Sequence, residues 1–575
     1  MPSSADVKGQ NMLRVPTEAA GKSDSALLAW TTLSVFVGCF AIFCALRTQD
    51  ILAVDGGNRC FEIYRNPRPY FDINNHLLHY VLIFSWTRLA ALFGYTPNGP
   101  MQFFHLVTMM NCLAMAASLA IVFVLIFSAV RRWHLALLVT LGYGLTRAFL
   151  LQATNANEPP VGIFWSLLGV LLAALCFRVK SNWLVALSAL LMAAAMAAYQ
   201  TTILLFPAAL YLIWKSRADE NSERMPRPTD AWTFRRPSTR QISAFVTFAA
   251  SGLATTAVIF GFAYWHMGIR GASQMLQRFT QHEDARTYMG LNVGRTLNVP
   301  VGFLLNVYPV LTSYAGLRAL WHGPRAELIA IAALGAATGG VLLLITYAIW
   351  KNRQTLLFQQ IIALQAAIIG LVFTSVPLFI WDPTYPKFWL QPLACIAVVV
   401  AVGLQTLLVQ NGGVRQFARI SAAFLLVGVS TNLVTAIRDH RTERPDMNQA
   451  EEIAQIAGPN DFVVGSWDGA ALLYGEVYAN KDRFLDFPED AAFRHRRAIS
   501  DLNDAVAATA KRGGTVYFIG LLEKSEAEWN DFLGKRCGVP YSDFEIYRNG
   551  SVRIRNFVSG NHEAAMWQFN PTANP

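Results

Sequence analysis

Charge, cysteine and recognisable cofactor motifs are all scarce in this sequence. Only 15% of its 575 residues are charged, against roughly 25% in an average soluble domain. None of its seven cysteines lies in a Cys-x-x-Cys or paired His/Cys spacing, and no His-Glu-x-x-His run appears, so a structural zinc site is not predicted. No Gly-x-Gly-x-x-Gly run marks a nucleotide site either. These absences argue against a soluble metalloprotein or a nucleotide-dependent enzyme.

Long apolar runs dominate the sequence instead. Hydrophobic residues make up 54% of the chain, and the mean hydropathy is +0.34. A bilayer core about 30 Å thick needs roughly 20 apolar residues per helix, which predicts a polytopic α-helical membrane protein with about eleven transmembrane helices. The candidate spans lie near residues 26–47, 101–130, 134–153, 160–177, 182–198, 200–214, 242–264, 327–350, 356–380, 388–410 and 420–437.

The positive charges indicate an orientation. With a cytoplasmic N-terminus, the short inside loops hold most of the Lys and Arg residues, as the positive-inside rule requires. The first apolar run has no small-residue cleavage site and therefore reads as a retained anchor. The formal charge of +10 is then explained by cytoplasmic anchoring, without a nucleic-acid partner. The predicted location is the bacterial inner (plasma) membrane, with residues 298–321 laid on its outer surface.

The chain divides into a short tail, a membrane domain and a soluble domain. We predict a cytoplasmic tail at 1–25, a transmembrane domain at 26–437 with a first outer loop and interfacial helix at 48–100, and an extracytoplasmic α/β domain at 438–575. In that last domain, "DFVVGSW" and "TVYFIG" predict buried strands, "AFRHRRAISDLNDAVAATAKRGG" predicts a helix ending at a glycine, and "FEIYRNGSVRIRNF" predicts a hairpin around Asn549-Gly550. Cys60 and Cys537 are the two cysteines placed outside, where an oxidising periplasm would allow a disulfide.

The first outer loop has the composition of a binding site. Asp55 precedes two glycines, which would let a ligand or another backbone approach closely. The segment "NNHLLHYVLIFSWTRLAALFGY" follows; it is apolar on one face and carries His76, His79 and Arg88, which predicts a helix lying in the membrane interface. A solvated turn followed by an ordinary helix fits the same residues.

Several segments, taken in chain order, resemble the GT-C membrane glycosyltransferases, especially the dolichyl- or undecaprenyl-phosphate-sugar enzymes related to protein mannosyltransferases and the RgtA/B/C/D-like group. They are an acid soon after the first span, an "N-H-x-L" segment opening the interfacial helix, and a second acid in the turn "NANEPP". In addition, "MAAYQTTILLFPAALYLIW" is similar to the family's bent pair of spans, and "WDPTYPKFWLQPL" to its outer turn with a basic-aromatic pair. The resemblance covers roughly residues 26–437. Many relatives carry two adjacent acids at this position, whereas in this chain glycine follows Asp55. The chain also has "N-N-H-L-L" where relatives have an "H-P-P-L"-like segment.

The resemblance implies an inverting enzyme that moves a sugar from a polyprenyl-phosphate donor to an extracytoplasmic glycan, lipid or protein acceptor. Asp55 would be the general base, and Glu158 would assist it, orient the acceptor or help to hold a divalent cation, Mg²⁺ or Mn²⁺. Lys387, at the outer end of a span, would bind the donor phosphate. Arg147 is a second phosphate candidate, because it lies about two turns inside the third predicted span, where an arginine is costly. Four further residues are expected to contact substrate: His76, His79, Glu62 and Arg88.

Other interpretations of these residues stay open. Lys387 could instead be an ordinary lysine whose side chain snorkels to the membrane interface. Arg147 could have a structural pairing only, and the two histidines could be ordinary residues of a helix. A transporter or lipid-linked glycan flippase would be polytopic too, although the sequence shows no repeat symmetry of the kind that transporters have. A non-catalytic assembly or sensor protein, with residues 440–575 as its binding module, is the third class.

Overall fold

The structure is a computed structural model, and it divides into two compact units. The helical unit comprises residues 1–47, 70–82 and 108–438, and the sheet unit comprises residues 48–69, 83–107 and 439–575. The residues that the structure describes are 20–48, 56–65, 67, 71, 76–218, 237–271, 273–274, 291, 293–308, 325–409, 413–441, 446–465, 469–479, 483–494, 497–534, 537–559 and 562–570.

Helices make up almost all of the described chain up to residue 441. In chain order they are α1 (Ala20–Ala45), α2 (Gly56–Arg65), α3 (His79–Leu92), α4 (Pro100–Val130), α5 (Trp133–Gly144), α6 (Arg147–Ala153), α7 (Pro159–Leu175), α8 (Asn182–Ala198), a 3₁₀ helix (Gln200–Leu205), α9 (Phe206–Ser216), α10 (Thr239–His266), α11 (Val293–Val307), α12 (Arg325–Lys351), α13 (Phe358–Thr374), α14 (Val376–Ile380), a second 3₁₀ helix (Pro386–Trp389), α15 (Leu390–Val409) and α16 (Gly413–Arg441).

The helices have the length and composition of a multi-pass membrane protein. Among the described residues, six are long and apolar enough to cross a membrane, or seven if α5 and α6 count as one bent span. Helices lie at each of the eleven predicted positions, but α7 and α8 have only 17 residues each. The predicted class of polytopic helical membrane protein is confirmed, while the number eleven stays a prediction.

The third predicted span is not one continuous helix, which corrects the placement of Arg147. Helices α5 and α6 meet at an angle of 72°. The backbone breaks because Thr146 is extended, with φ −62° and ψ 146°, and its hydroxyl donates a 2.7 Å hydrogen bond to the carbonyl of Tyr143. Arg147 is therefore the first residue of α6, beside a break, rather than a residue two turns inside a span.

Helix α11 covers the first part of the run that we predicted to lie on the outer surface. One side, including Val301 and Leu305, is buried in the apolar core of the helical unit, and Leu297 is 60% exposed. Gly302 lies on the buried side, where a Cβ would come within 1.9 Å of the carbonyl oxygen of Pro383. The absence of a side chain thus lets α11 pack directly against the turn before Lys387. Residues 309–321 of the predicted run lie outside the described residues.

The sheet unit contains a five-stranded mixed sheet with strand order β2-β1-β3-β5-β4. Strand β1 is parallel to β2 and β3, whereas β5 is antiparallel to β3 and β4. The strands predicted from "DFVVGSW" and "TVYFIG" are confirmed as β1 and β3. The elements after residue 441 are α17 (Asp446–Ile456), β1 (Phe462–Gly465), α18 (Gly469–Val477), β2 (Phe484–Asp486), α19 (Phe487–Arg494), α20 (Arg497–Lys511), β3 (Val516–Ile519), α21 (Glu526–Trp529), α22 (Glu545–Asn549), β4 (Ser551–Ser559) and β5 (His562–Phe569).

The predicted hairpin around Asn549-Gly550 is wrong. Asn549 ends helix α22, Gly550 has φ −96° rather than the positive φ of a tight hairpin turn, and β4 pairs with β5 instead. The physical reason is the spacing of Phe544 and Tyr547, which are three residues apart and pack side by side in the core. That spacing favours a helical turn over a strand.

Other local predictions in the sheet unit have mixed outcomes. The helix predicted over residues 492–514 is split between α19 and α20, and the chain leaves α20 through Gly513 with φ +71°, as the predicted glycine end requires. Cys60 and Cys537 are both buried thiols, and the predicted disulfide between them is not formed. Helix α2 packs against α18, with the Arg65 guanidinium donating to the carbonyl of Gly475 at 3.2 Å.

Candidate functional site

A buried carboxylate beside a lysine and a histidine forms the candidate site. Glu158 is the only acidic residue between Asp72 and Asp219 in the sequence, and its side chain is 1% exposed. A buried carboxylate is costly unless it is paired. Its Oε2 atom lies 2.5 Å from Nε2 of His76 and 3.7 Å from Nζ of Lys387. These three residues are called the Glu158 cluster below.

The loop before α7 fixes the position of Glu158. Asn111, on α4, donates both N–H groups of its side-chain amide to this loop, to the carbonyls of Asn155 at 2.8 Å and Asn157 at 2.7 Å. The Asn157 side chain in turn accepts the backbone N–H of Glu158 at 2.9 Å. Two prolines start α7 directly after Glu158, where their missing N–H groups cost nothing. The carboxylate therefore sits at the positive end of a helix dipole.

His76 reaches the cluster from the segment that leads into α3. The turn after it is tied to α8 because the N–H of Leu78 donates to the carbonyl of Ala197 at 3.0 Å. The His76 ring stacks on Tyr199, with 5.3 Å between ring centroids and 20° between ring planes. Tyr199 is itself 2% exposed and extended, with φ −152° and ψ 105°, at the break between α8 and the 3₁₀ helix. Tyr199 thus supports the ring that contacts Glu158.

Gly162 allows Tyr199 to occupy this place. A Cβ at Gly162 would lie 2.7 Å from Cβ of Tyr199 and 3.3 Å from the Tyr199 backbone nitrogen. Both atoms belong to the main body of Tyr199 and not to a flexible side-chain end, so the residue would have to move.

We expect Gly162→Ala to destabilise the protein and to displace the Tyr199 ring from His76. Overpacking of this kind typically costs about 1–3 kcal/mol, which should appear as a lower apparent melting temperature of the purified protein in detergent. Gly261→Ala is the matched control, because Gly261 lies within α10 and a Cβ there would meet nothing within 4 Å. Equal melting temperatures for the two variants would contradict the packing argument.

Lys387 is presented by the turn that precedes α15. Its ammonium lies 4.7 Å from the ring centroid of Tyr385 and 5.9 Å from that of Phe388, within the range of cation–π attraction. The turn is braced by Asp382, whose Oδ1 accepts both the N–H and the hydroxyl of Thr384 at 2.8 Å. The Lys387 side chain is 14% exposed, so the cation lies in a largely buried, aromatic-lined position.

The remaining predicted site residues fall in several places. Arg147 donates to the carbonyl of Leu305 at 3.2 Å, and its helix α6 packs against the 3₁₀ helix that carries Lys387. His79 is 2% exposed, and its ring centroid lies 6.5 Å from that of His76. Arg88, on α3, lies over the ring of Phe84 at 5.0 Å.

Two predicted acidic site residues cannot be placed as side chains. Asp55 lies outside the described residues, and the next residue, Gly56, begins helix α2. Glu62 is on α2, but its side chain lies outside the described part. Among the described residues, no group of three or more His, Cys, Asp or Glu side chains is arranged to hold a metal ion.

Asn111 and Tyr199 are not among the residues predicted from the sequence. Asn111 could have been noticed as a buried amide inside a mostly apolar 31-residue helix, because buried polar groups in membranes are usually functional or structurally paired. Tyr199 had only a weak signal, the break between two short apolar runs. Its stacking on His76 depends on contacts between residues 123 positions apart in the chain.

The fold has counterparts among solved structures. No protein-family model matches this sequence, and no curated protein matches it either. The crystal structure of ArnT from Cupriavidus metallidurans in the apo state matches with a TM-score of 0.52 and 11% identity, over 96% of this chain and 99% of that chain. ArnT bound to undecaprenyl phosphate matches with a TM-score of 0.50 and 12% identity, over 96% and 98%. The Archaeoglobus fulgidus oligosaccharyltransferase in the apo form has a TM-score of 0.48 and 12% identity, over 90% and 72%.

The likeness to ArnT, a GT-C glycosyltransferase, extends over nearly the whole length of both chains. At 11–12% identity it is evidence about the fold. The resemblance drawn from the sequence is confirmed at that level: this multi-pass membrane protein has the GT-C fold.

Proposed function

We propose that this protein is an integral-membrane glycosyltransferase that transfers a sugar from a polyprenyl-phosphate donor to an extracytoplasmic acceptor. The observation that carries the proposal is the Glu158 cluster, a buried carboxylate shared by a lysine and a histidine within a GT-C fold. The ArnT structure with undecaprenyl phosphate supports a lipid-linked donor. The acceptor class, whether glycan, lipid or protein, is left open.

Lys387 is suited to bind the donor phosphate. The Lys387 side chain is 14% exposed, and Oε2 of Glu158 lies 3.7 Å from its ammonium, which helps to hold the charge in place. A lysine behaves as a compact point charge with three donors, which matches the oxygens of a phosphate. Arg147 would add a second cation, since α6 packs against the 3₁₀ helix of Lys387.

The reaction requires one proton acceptor and one stabilised leaving group. The acceptor hydroxyl attacks the anomeric carbon, a new C–O bond forms, and the bond from that carbon to the phosphate oxygen breaks with its electron pair going to the phosphate. Asp55 takes the hydroxyl proton as general base. Attack from the side opposite the phosphate inverts the anomeric configuration. Glu158 holds Lys387 and His76 so that the cation faces the phosphate and the imidazole faces the sugar or the acceptor.

A divalent ion at Glu158 does not fit this arrangement. Oε2 of Glu158 already has His76 Nε2 at 2.5 Å and Lys387 Nζ at 3.7 Å, and an ammonium at that distance would repel a metal cation. Glu158 is therefore proposed to act through Lys387 and His76 and not through a metal ion.

A transfer assay tests the proposal. Purified protein in lipid vesicles would be given radiolabelled polyprenyl-phosphate sugars from a panel, together with extracts containing candidate acceptors. We expect one donor to lose its label to an acceptor. A flippase would instead move the intact lipid across the vesicle membrane without releasing polyprenyl phosphate, and that result would favour the alternative function.

The proposed orientation gives a separate expected result. Because the Asp55 loop and the C-terminal domain are proposed to be outside, alkaline phosphatase fused at Gly465 should be active, and a fusion near Arg227 should be silent. Phosphatase activity in cells expressing each fusion at equal level measures this. The opposite pattern would reverse the orientation and place Asp55 on the cytoplasmic side.

A further inference from the structure

Gln391 is a buried polar residue close to Lys387 that has no role in the reaction described so far. It is the second residue of α15, and it is 5% exposed. The 3₁₀ helix that carries Lys387 runs into α15 without a break, because Leu390 is helical with φ −56° and ψ −50°. Residues four apart on a helix are neighbours, with about 5–6 Å between their Cβ atoms. The geometry of the helix therefore holds Gln391 beside Lys387.

Two hydrogen bonds fix the backbone directly before Gln391. Nε1 of Trp389 donates to the carbonyl of Pro383 at 2.7 Å, and the hydroxyl of Tyr143 donates to the carbonyl of Leu390 at 2.9 Å. The first bond closes the turn that leads into the helix, and the second ties the start of α15 to α5. Gln391 thus has a defined position at the end of the helix where Lys387 lies.

The side of α15 that carries Gln391 is turned towards the 3₁₀ helix that begins directly after Tyr199. Cys395 follows Gln391 by one helical turn and lies on the same side. A Cβ at Gly370, on α13, would come within 2.8 Å of Sγ of Cys395 and 3.5 Å of Cδ2 of Leu205, in that 3₁₀ helix. Gln391 therefore lies on the side of α15 that faces an element of the Glu158 cluster's surroundings.

The side-chain amide of Gln391 is an unused hydrogen-bond donor. Its Nε2 atom is buried and has no hydrogen-bond partner among the described residues. A buried donor without a partner is destabilising, and most buried polar groups in proteins are paired. Gln360, on α13, is such a paired case: it is 4% exposed, and its Oε1 accepts the N–H of Leu357 at 3.0 Å. Gln391 can donate to a ligand without giving up a bond within the protein.

The ligand that fits a donor beside an ammonium is an anion with several acceptor oxygens. Oε2 of Glu158 lies 3.7 Å from Nζ of Lys387, so a phosphate at this lysine also meets a carboxylate that repels it. An uncharged N–H donor adds attraction for the phosphate without requiring another counter-charge, and hydrogen bonds to an ionised acceptor are strong.

We propose that Gln391 donates a hydrogen bond to the phosphate of the polyprenyl-phosphate donor, next to the contact made by Lys387. This role rests on the proposed function, because that function supplies the lipid-linked phosphate. It concerns binding of the phosphate and not proton transfer, so it can be measured without sugar transfer.

Binding of undecaprenyl phosphate to the purified full-length protein in detergent tests this role. Gln391→Met replaces the amide by an unbranched apolar side chain that cannot donate. Losing a hydrogen bond to a charged group weakens binding by about 10- to 100-fold, and we expect a loss of that size for undecaprenyl phosphate. The affinity for undecaprenol, which lacks the phosphate, should not change. Native mass spectrometry measures both dissociation constants, and inorganic phosphate is titrated in a third arm.

The melting temperature separates a binding role from a structural one. Without ligand, Gln391→Met should melt no lower than the unmodified protein, because the Nε2 atom has no described hydrogen bond to lose. Gln360→Met is the matched control. It loses the bond to Leu357, so it should melt at a lower temperature and still bind undecaprenyl phosphate with unchanged affinity. Gln391→Glu keeps the size of the side chain but repels a phosphate, so it should weaken binding at least as much as Gln391→Met.

Several results would overturn the proposed role of Gln391. They are unchanged affinity for undecaprenyl phosphate in Gln391→Met and Gln391→Glu, an equal loss of affinity for undecaprenol, or binding of inorganic phosphate as tight as that of the lipid. A fall in melting temperature like that of Gln360→Met would show a structural role instead. If the unmodified protein transfers sugar while the Gln391 variants bind donor normally, only this role fails. If the variants bind weakly but the unmodified protein transfers no sugar, only the proposed function fails.

Discussion

Sugar transfer by an Asp55→Asn protein is expected to fall by about 10²- to 10⁴-fold, the usual cost of losing a general base. The amide is nearly the same size as the carboxylate, so the protein should still fold and insert, but the amide cannot accept the proton of the attacking hydroxyl. The donor should still bind, because the proposed phosphate contacts of Lys387 and Arg147 are unchanged. The measurement is the initial rate of transfer at saturating donor, with donor affinity measured separately.

A matched control makes this result specific to the position. Asp504→Asn introduces the same change at an exposed carboxylate on α20 in the sheet unit, and it should transfer sugar at the rate of the unmodified protein. If Asp55→Asn also transfers at that rate, Asp55 is not the base. If Asp55→Asn loses donor binding as well as rate, its role is to form the site and not to accept the proton.

The residues that make the Glu158 cluster could be predicted from the sequence, but their contacts could not. Glu158 and Lys387 each precede an apolar run. The turn residues in "NEPP" and "YPKF" place both of them at helix ends. Their separation in the chain is more than two hundred residues, and helix periodicity carries no information about which helix ends meet. The contact between Glu158 and His76 could not be predicted from the sequence for the same reason.

Breaks within a predicted helix or strand could not be predicted from the sequence either. Apolar composition predicts a span over residues 134–153, yet the chain bends by 72° at Thr146, where the backbone is extended and the hydroxyl donates to the carbonyl of Tyr143. The apolar composition of a segment does not reveal such a hydrogen bond. In the sheet unit, Asn549-Gly550 strongly predicts a hairpin turn, but the chain forms a helix there, which buries Phe544 and Tyr547. Tertiary packing overrode the local preference in the sheet unit, whereas the bend at Thr146 accompanies a local hydrogen bond.

The second large effect is expected at Glu158 and Lys387, where stability and activity should separate. Glu158→Gln leaves the Lys387 ammonium in a largely buried position without its carboxylate, and breaking a buried pair in this way costs about 3–5 kcal/mol. The apparent melting temperature should fall accordingly. Lys387→Met should cost less, because His76 still contacts the carboxylate at 2.5 Å. The double variant Glu158→Gln/Lys387→Met removes both charges of this pair together and should recover much of the loss.

Activity should not recover with stability, and this difference decides what the cluster is for. If Lys387 binds the donor phosphate, the double variant is stable but binds donor weakly and transfers little sugar. If the cluster only holds helices together, transfer returns as the melting temperature returns.

The Arg555–Glu452 pair of the sheet unit is the control: its atoms are 2.5 Å apart, but the side chains are 56% and 33% exposed. The same cycle there should give a coupling of at most about 1 kcal/mol and no change in transfer. A coupling at Glu158–Lys387 no larger than at this surface pair would remove the electrostatic basis of the proposed site.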